Sequence, residues 1–249
     1  MRRLAIIVLT IFILLTGQGF SGVNTNIPFT DNFESYTNGT PLDTGTNGWY
    51  ASSSNVIVTS NSAIAPIGSI KMAMIPVDST LSNRFEGVTN NFVGVQMDLR
   101  MVFYDGTNNP VVDTNVVAMF YVNSNGYFTV HNGPATNPSP TNSLNWITIT
   151  NIGMGTNNNS WITISIHENF ITKKWSLFMN DTLVTNNLGF INPNLTNFMG
   201  FNVYNGATTT YLDNVYIVDL TIVDVKLAGS PVKNLYGAPE SLIIKLLNK

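Results

Sequence analysis

The sequence predicts an all-β protein, and three observations carry that expectation. Beyond residue 22, apolar residues do not recur at helical spacing until the last dozen positions. Short runs instead alternate apolar and polar residues with a period of two. Clusters of Asn, Gly and Thr punctuate those runs, as in sandwiches and barrels. At 249 residues the chain is long enough for one large β domain, expected over 23–225.

The chain opens with "MRRLAIIVLTIFILLTGQGFSG". Arg2 and Arg3 form a basic start, Leu4 to Leu15 is an apolar run, and Gly19 and Ser21 suit a cleavage site. The expectation is a signal peptide over 1–22, hence a secreted or cell-surface protein with no membrane span after cleavage. The rival reading is an uncleaved anchor, which needs ~20 apolar residues; the polar "TGQG" arrives too soon for that.

Strand-like runs follow in order. "NVIVTS" (55–60) and "SIKMAMIPV" (69–77) come first. In "NFVGVQMDLRMVFYD" (91–105), Val93, Val95, Met97, Leu99, Met101 and Phe103 share one face. Gln96, Asp98, Arg100 and Tyr104 share the other. "NVVAMFYV" and "GYFTVHN" flank "NSNG", a good hairpin turn. In the segment 160–186, Ile162, Ile164 and Ile166 alternate with Thr163, Ser165 and His167. "ENFITKK" reads as a turn and "WSLFMN" as the returning strand. "TNFMGFNVYN" and "TTTYLDNVYIV" close the series. The tail, 226–249, ends in "APESLIIKLLNK", whose pattern predicts a short amphipathic helix. It reads either as a docked cap or as a segment that binds a protein partner.

Composition excludes several classes. Charged residues make up 10% of the chain and the net charge is −3, which does not suit nucleic acid. The chain has no Cys, so disulfides, thiol catalysis and Cys-based zinc sites are excluded.

Three stretches together resemble secreted bacterial concanavalin A-like (LamG-type) jelly-roll domains of the lectin and glucanase kind. "FTDNFESYTNGTPLDTGTNGWYAS" (29–52) resembles their opening, "SWITISIHENFITKKWSLFMNDTLV" their central hairpin, and "TTYLDNVYI" their closing strand. The resemblance implies a two-sheet antiparallel jelly-roll β-sandwich with adjacent first and last strands, followed here by the short helical tail. Such folds host lectins, glycanases and adhesion domains, so fold alone does not select function.

Asp213 is the anomaly, an acid in the middle of an otherwise apolar strand, where an unpaired carboxylate is costly. In similar domains an early "FE" and a late "DN" share a structural calcium. On that resemblance Asp31, Glu34 and Asp213 are metal candidates, and Ca²⁺ takes 6–8 oxygen ligands. The other reading is local: Asp213 bonds backbone N–H groups where the strand leaves the sheet.

For catalysis the signals are thin. Glycoside hydrolysis usually needs a placed pair of carboxylates, and no strand here carries acids at i and i+2. Asp98 with Arg100 reads as an ion pair or as part of a ligand face. Tyr127 and His131, at i and i+4 on one strand face, are the lyase-like pair. For glycan binding, where sugar faces stack on aromatic rings, the candidates are Trp49, Tyr50, Asp98, Arg100, Tyr104, Tyr127 and His131. The expected function is thus a non-catalytic, lectin-like carbohydrate-binding domain whose partner is a polysaccharide or glycan. The alternatives are a structural or adhesive module binding protein, and a divergent glycan hydrolase or lyase.

Overall fold

The computed structural model describes residues 22–104, 106, 108–134, 145–155 and 160–221, with the backbone of 226–227 and 230–231. The expected signal peptide and the expected helix over 238–249 lie outside the described residues. Among these, a 3-10 turn stands at Thr46–Gly48, and no helix is long and apolar enough to cross a membrane.

One large open sheet organises the molecule. Its strands run β12 (Thr182–Gly189), β11 (Lys174–Met179), β10 (Trp161–Asn169), β6 (Phe92–Arg100), β14 (Thr210–Asp219), β4 (Lys71–Ile75), β3 (Ile57–Ser60). An eighth strand, β1 (Phe29–Asp31), pairs antiparallel with β14, Phe29 opposite Ile217 and Asp31 opposite Val215. The first and last strands of the domain therefore lie edge to edge. The inner face follows the period of two: Val93, Val95, Met97 and Leu99 of β6 align with Glu168, Ile166, Ile164 and Ile162 of β10. Leu212, Val215 and Ile217 of β14 continue the same buried layer.

The two-sheet sandwich is not what forms. The second layer is split into two separate three-stranded sheets. One is β13 (Phe198–Asn205), β5 (Ser79–Val88), β2 (Trp49–Ala51); the other is β7 (Phe120–Val122), β8 (Tyr127–His131), β9 (Trp146–Gly153). A two-stranded ladder, β15 (Lys226–Leu227) with β16 (Ser230–Pro231), stands apart. The architecture is all-β, multi-sheet and sandwich-like without barrel closure. The physical reason for the split lies between β6 and β7. The expected long strand 91–105 stops at Arg100, and the chain passes Pro110, which has no N–H to give a ladder. Among the described residues of 101–119 the sole β-bridge is Tyr104 with Asn123, and no ladder joins the two small sheets.

At the end of β1 and just beyond it, Asp31 and one oxygen of Glu34 each meet three donors. Asp31 is buried; its Oδ1 accepts the Phe33 N–H at 2.9 Å, and its Oδ2 accepts the Tyr36 hydroxyl at 2.6 Å and the Trp49 indole N–H at 2.8 Å. Burial and the neighbouring Asp31 keep the Tyr36 phenol un-ionised well above the ordinary tyrosine range. Glu34 Oε1 accepts the Ile70 and Lys71 N–H groups at 2.6 and 2.8 Å and the Ser69 hydroxyl at 2.8 Å. Burial opposes its charge, yet these donors and the Lys71 ammonium hold its carboxyl below the usual range.

Candidate functional site: the outer face of the main sheet

Residues of β10, β6 and β14 that point away from the core stand in cross-strand rows. Trp161, Arg100 and Tyr211 form one row; Thr163, Asp98 and Asp213 the next; Ser165, Gln96 and Tyr216 a third. The face therefore carries three aromatic rings around a small set of polar groups. Gln96 is exposed, and Trp161, Asp98, Arg100, Tyr211 and Tyr216 are half-buried. The Arg100 guanidinium lies 5.7 Å from the centre of the Tyr211 ring, within cation–π range. The Trp161 indole N–H donates to the Ile64 carbonyl, which fixes that ring against the loop beside the face.

Asp98 is held in one orientation. Its Oδ1 accepts the Thr163 hydroxyl at 2.6 Å and its Oδ2 accepts the Asn214 amide at 2.9 Å. Each carboxylate oxygen has a second lone pair, so Asp98 still has acceptor capacity for a ligand hydroxyl.

Asp213 owes its place to a change of strand partner. One edge of β14 pairs with β4 over Thr210–Leu212 and with β1 over Val215–Ile217. Between them β14 bulges, and Asn214 takes a left-handed conformation, φ 48°. Asn adopts that region more readily than most residues, because its short polar side chain bonds locally. Asp213 sits fully buried at the bulge, its Oδ1 accepting the Asn214 N–H at 2.8 Å. Burial raises its pKa to about 6; the Ser69 hydroxyl and Asn214 N–H act against that rise, while Asp98 and Glu34 add to it. Its Oδ2 has no hydrogen-bond partner. A group buried this fully does not meet a substrate, so the Asp98–Asp213 pair does not form an accessible catalytic dyad.

The residues expected to bind ligand fall in separate places. Asp98 and Arg100 are on the face just described. Trp49 is fully buried, its indole committed to Asp31, and presents no ring to a sugar. Tyr50 lies on the β2 sheet under the Arg84 guanidinium, 4.4 Å from its ring centre. Tyr104 meets Tyr121 edge-on at 5.1 Å. Tyr127 and His131 belong to β8 in the third sheet. His131 is fully buried against Trp146, neither ring nitrogen finds a hydrogen-bond partner, and burial pushes its pKa down against the Gly133 backbone. His167 packs on Phe178 at 4.5 Å, and burial lowers its pKa to about 4.

Of the metal candidates, Glu34 and Asp213 come near each other, whereas Asp31 has both oxygens engaged by protein donors. Among the described residues no group of three or more His, Cys, Asp and Glu is arranged to hold a metal ion.

Sequence reasoning passed over Tyr211 as a site residue, though the period of two places it on the side of Asp213. It also assigned Glu168 to a turn. Extending the series Ile162, Ile164, Ile166 by one more step would have placed Glu168 on the inner face.

No family model matches the chain, and no curated protein matches it. Among solved structures, several are similar to it. A sialidase chain superposes with a TM-score of 0.51 at 10% identity, covering 80% of this chain and 19% of that one. Alginate lyase vAL-1 from Chlorella virus gives 0.42 at 10% identity, covering 72% of this chain and 96% of that one. The receptor binding domain of botulinum neurotoxin C/D mosaic serotype gives 0.42 at 10%, covering 77% and 45%. The chain thus spans about a fifth of the sialidase chain it matches. At this identity the sialidase superposition shows a β-sandwich-like fold, a coarser kinship than the LamG-type family.

Proposed function

We propose that the protein is a non-catalytic, extracellular carbohydrate-binding domain, and that the outer face of the main sheet is its binding surface. The observation that supports this most is the row Trp161, Arg100, Tyr211 lying beside an Asp98 already oriented by Thr163 and Asn214. Aromatic faces supply stacking area at low entropic cost, and a fixed carboxylate and a guanidinium supply hydroxyl partners.

The test is retention on a panel of insoluble polysaccharides together with a glycan array. The wild-type protein is retained by at least one glycan, and Trp161→Ala and Asp98→Ala each weaken that binding about tenfold. Absence of retention on every glycan would refute the reading and favour a protein partner.

A structural calcium ion is proposed alongside it on the Glu34 and Asp213 carboxyls, with Asp213 Oδ2 the oxygen lacking a protein partner. An ion bound to the native state raises its melting temperature. A melting temperature equal in calcium and in EDTA leaves the seam to hydrogen bonds alone.

A further inference from the structure

The inner face of the main sheet carries a second feature, independent of the outer one. Because the second layer is split, a groove of about 330 Å³ opens between β13 on one side and residues 115–122 on the other, with β6 and β10 as its floor. That volume is at the low end for sites that enclose small molecules. Its walls are mainly apolar, with four methionines, Met97, Met101, Met119 and Met199, whose flexible thioethers adapt to varied shapes.

One lining residue does not belong in such a place. Glu168 is 8% exposed, and its Oε2 has no hydrogen-bond partner. Its cross-strand neighbours are Val93 on β6 and Trp175 on β11, both buried, and neither side chain reaches it with a hydrogen bond. Among the described residues that line the groove there is no Lys, Arg, His or Asp. Burial raises the Glu168 pKa to about 8, so at neutral pH the carboxyl is mostly un-ionised. An un-ionised carboxyl both donates and accepts a hydrogen bond. A buried polar group without a partner is costly, and replacing it by an apolar residue would remove the cost.

We propose that this groove binds an uncharged, largely apolar molecule bearing one hydroxyl group, which Glu168 engages by hydrogen bonding. The absence of a cationic or second anionic side chain on the walls selects an uncharged ligand. The apolar walls take its body, and the lone carboxyl takes its one polar group.

The probe is 1-decanol, with decane as the control of equal chain length, measured by calorimetry and by thermal shift on the purified chain. The wild-type protein binds 1-decanol saturably, and decane about tenfold more weakly. Glu168→Leu folds with a melting temperature above that of the unliganded wild type, yet binds 1-decanol about tenfold more weakly. Glu168→Gln, which keeps a donor and an acceptor, binds like the wild type. The proposal is overturned if wild-type protein shows no saturable binding of 1-decanol, or if decane and 1-decanol bind alike. Equal 1-decanol affinity in wild type and Glu168→Leu also overturns it. The decane comparison needs no variant and therefore decides the matter even where a variant misfolds.

Discussion

Two regions of this molecule take acids out of solvent, Asp31 and Glu168 nearly fully and Glu34 in part, and treat them in opposite ways. At the β1–β14 seam, Asp31 takes three protein donors and Glu34 Oε1 takes three more. In the groove, Glu168 Oε2 takes none. The same side-chain chemistry therefore has opposite consequences. Where donors converge, the carboxylate ties its own segment together: Asp31 to residues 33–49 and Glu34 to residues 69–71. Where apolar walls converge, the carboxyl is kept un-ionised. The lesson is that burial alone does not say whether an acid stabilises; the count of donors around it does.

The largest test of that contrast is at the seam. Asp31→Ala strands the Phe33 N–H, the Tyr36 hydroxyl and the Trp49 indole in the interior. Each orphaned donor costs about 1–3 kcal/mol, so a loss of about 3–5 kcal/mol is expected in urea denaturation. In the groove the sign reverses: without ligand, Glu168→Leu gains about 1–3 kcal/mol. A loss at Glu168 comparable to that at Asp31 would erase the contrast.

The pH dependence sharpens it. With its folded pKa raised from 4.5 to about 8, Glu168 contributes stability that is complete below 4.5 and is lost as pH rises through about 8. Asp213 acts in the same direction between 3.8 and about 6. His167, lowered from 6.5 to about 4, acts oppositely: its contribution is present above 6.5 and lost as pH falls through about 4. Between pH 6.5 and 8 the slope therefore belongs chiefly to Glu168. The wild-type melting temperature should fall across that window, and that of Glu168→Gln should stay flat; parallel curves would contradict the assignment.

The smallest effect concerns the layer beside the groove. Gly200 of β13 has φ 117°, and a Cβ there would stand 2.0 Å from the Asn83 carbonyl oxygen of β5. Gly200→Ala should cost about 1–2 kcal/mol by thermal denaturation, since backbone must shift on either strand. An unchanged melting temperature would mean that β13 is free to move away.

Much of this was legible in the chain. The period of two in 91–105 and 160–167 gave the inner and outer faces of β6 and β10, hence Asp98 and Arg100 on one side and the valines and isoleucines on the other. The meeting of the first and last strands was also expected, as what the resemblance to jelly-roll domains implies, and β1 does pair with β14. What escaped depends on long-range partners. Whether the second layer forms one sheet or two is decided by how the chain travels from β6 to β7, and alternation within strands is silent on that. Trp49 looked like a ligand platform because the Gly-rich turn before it suggested exposure; its burial follows from Asp31, eighteen residues away. Asp213 needed knowledge that β14 changes partner at that point. Glu168 was within reach of the pattern, and was missed because the turn was started too early.

The most direct measurement is a carbon-13 NMR titration of the side-chain carboxyls, following Glu34 and Glu168 in the same sample. The account predicts that Glu34 titrates below its ordinary 4.5 while Glu168 titrates near 8. Two carboxyls titrating together near 4.5 would contradict it.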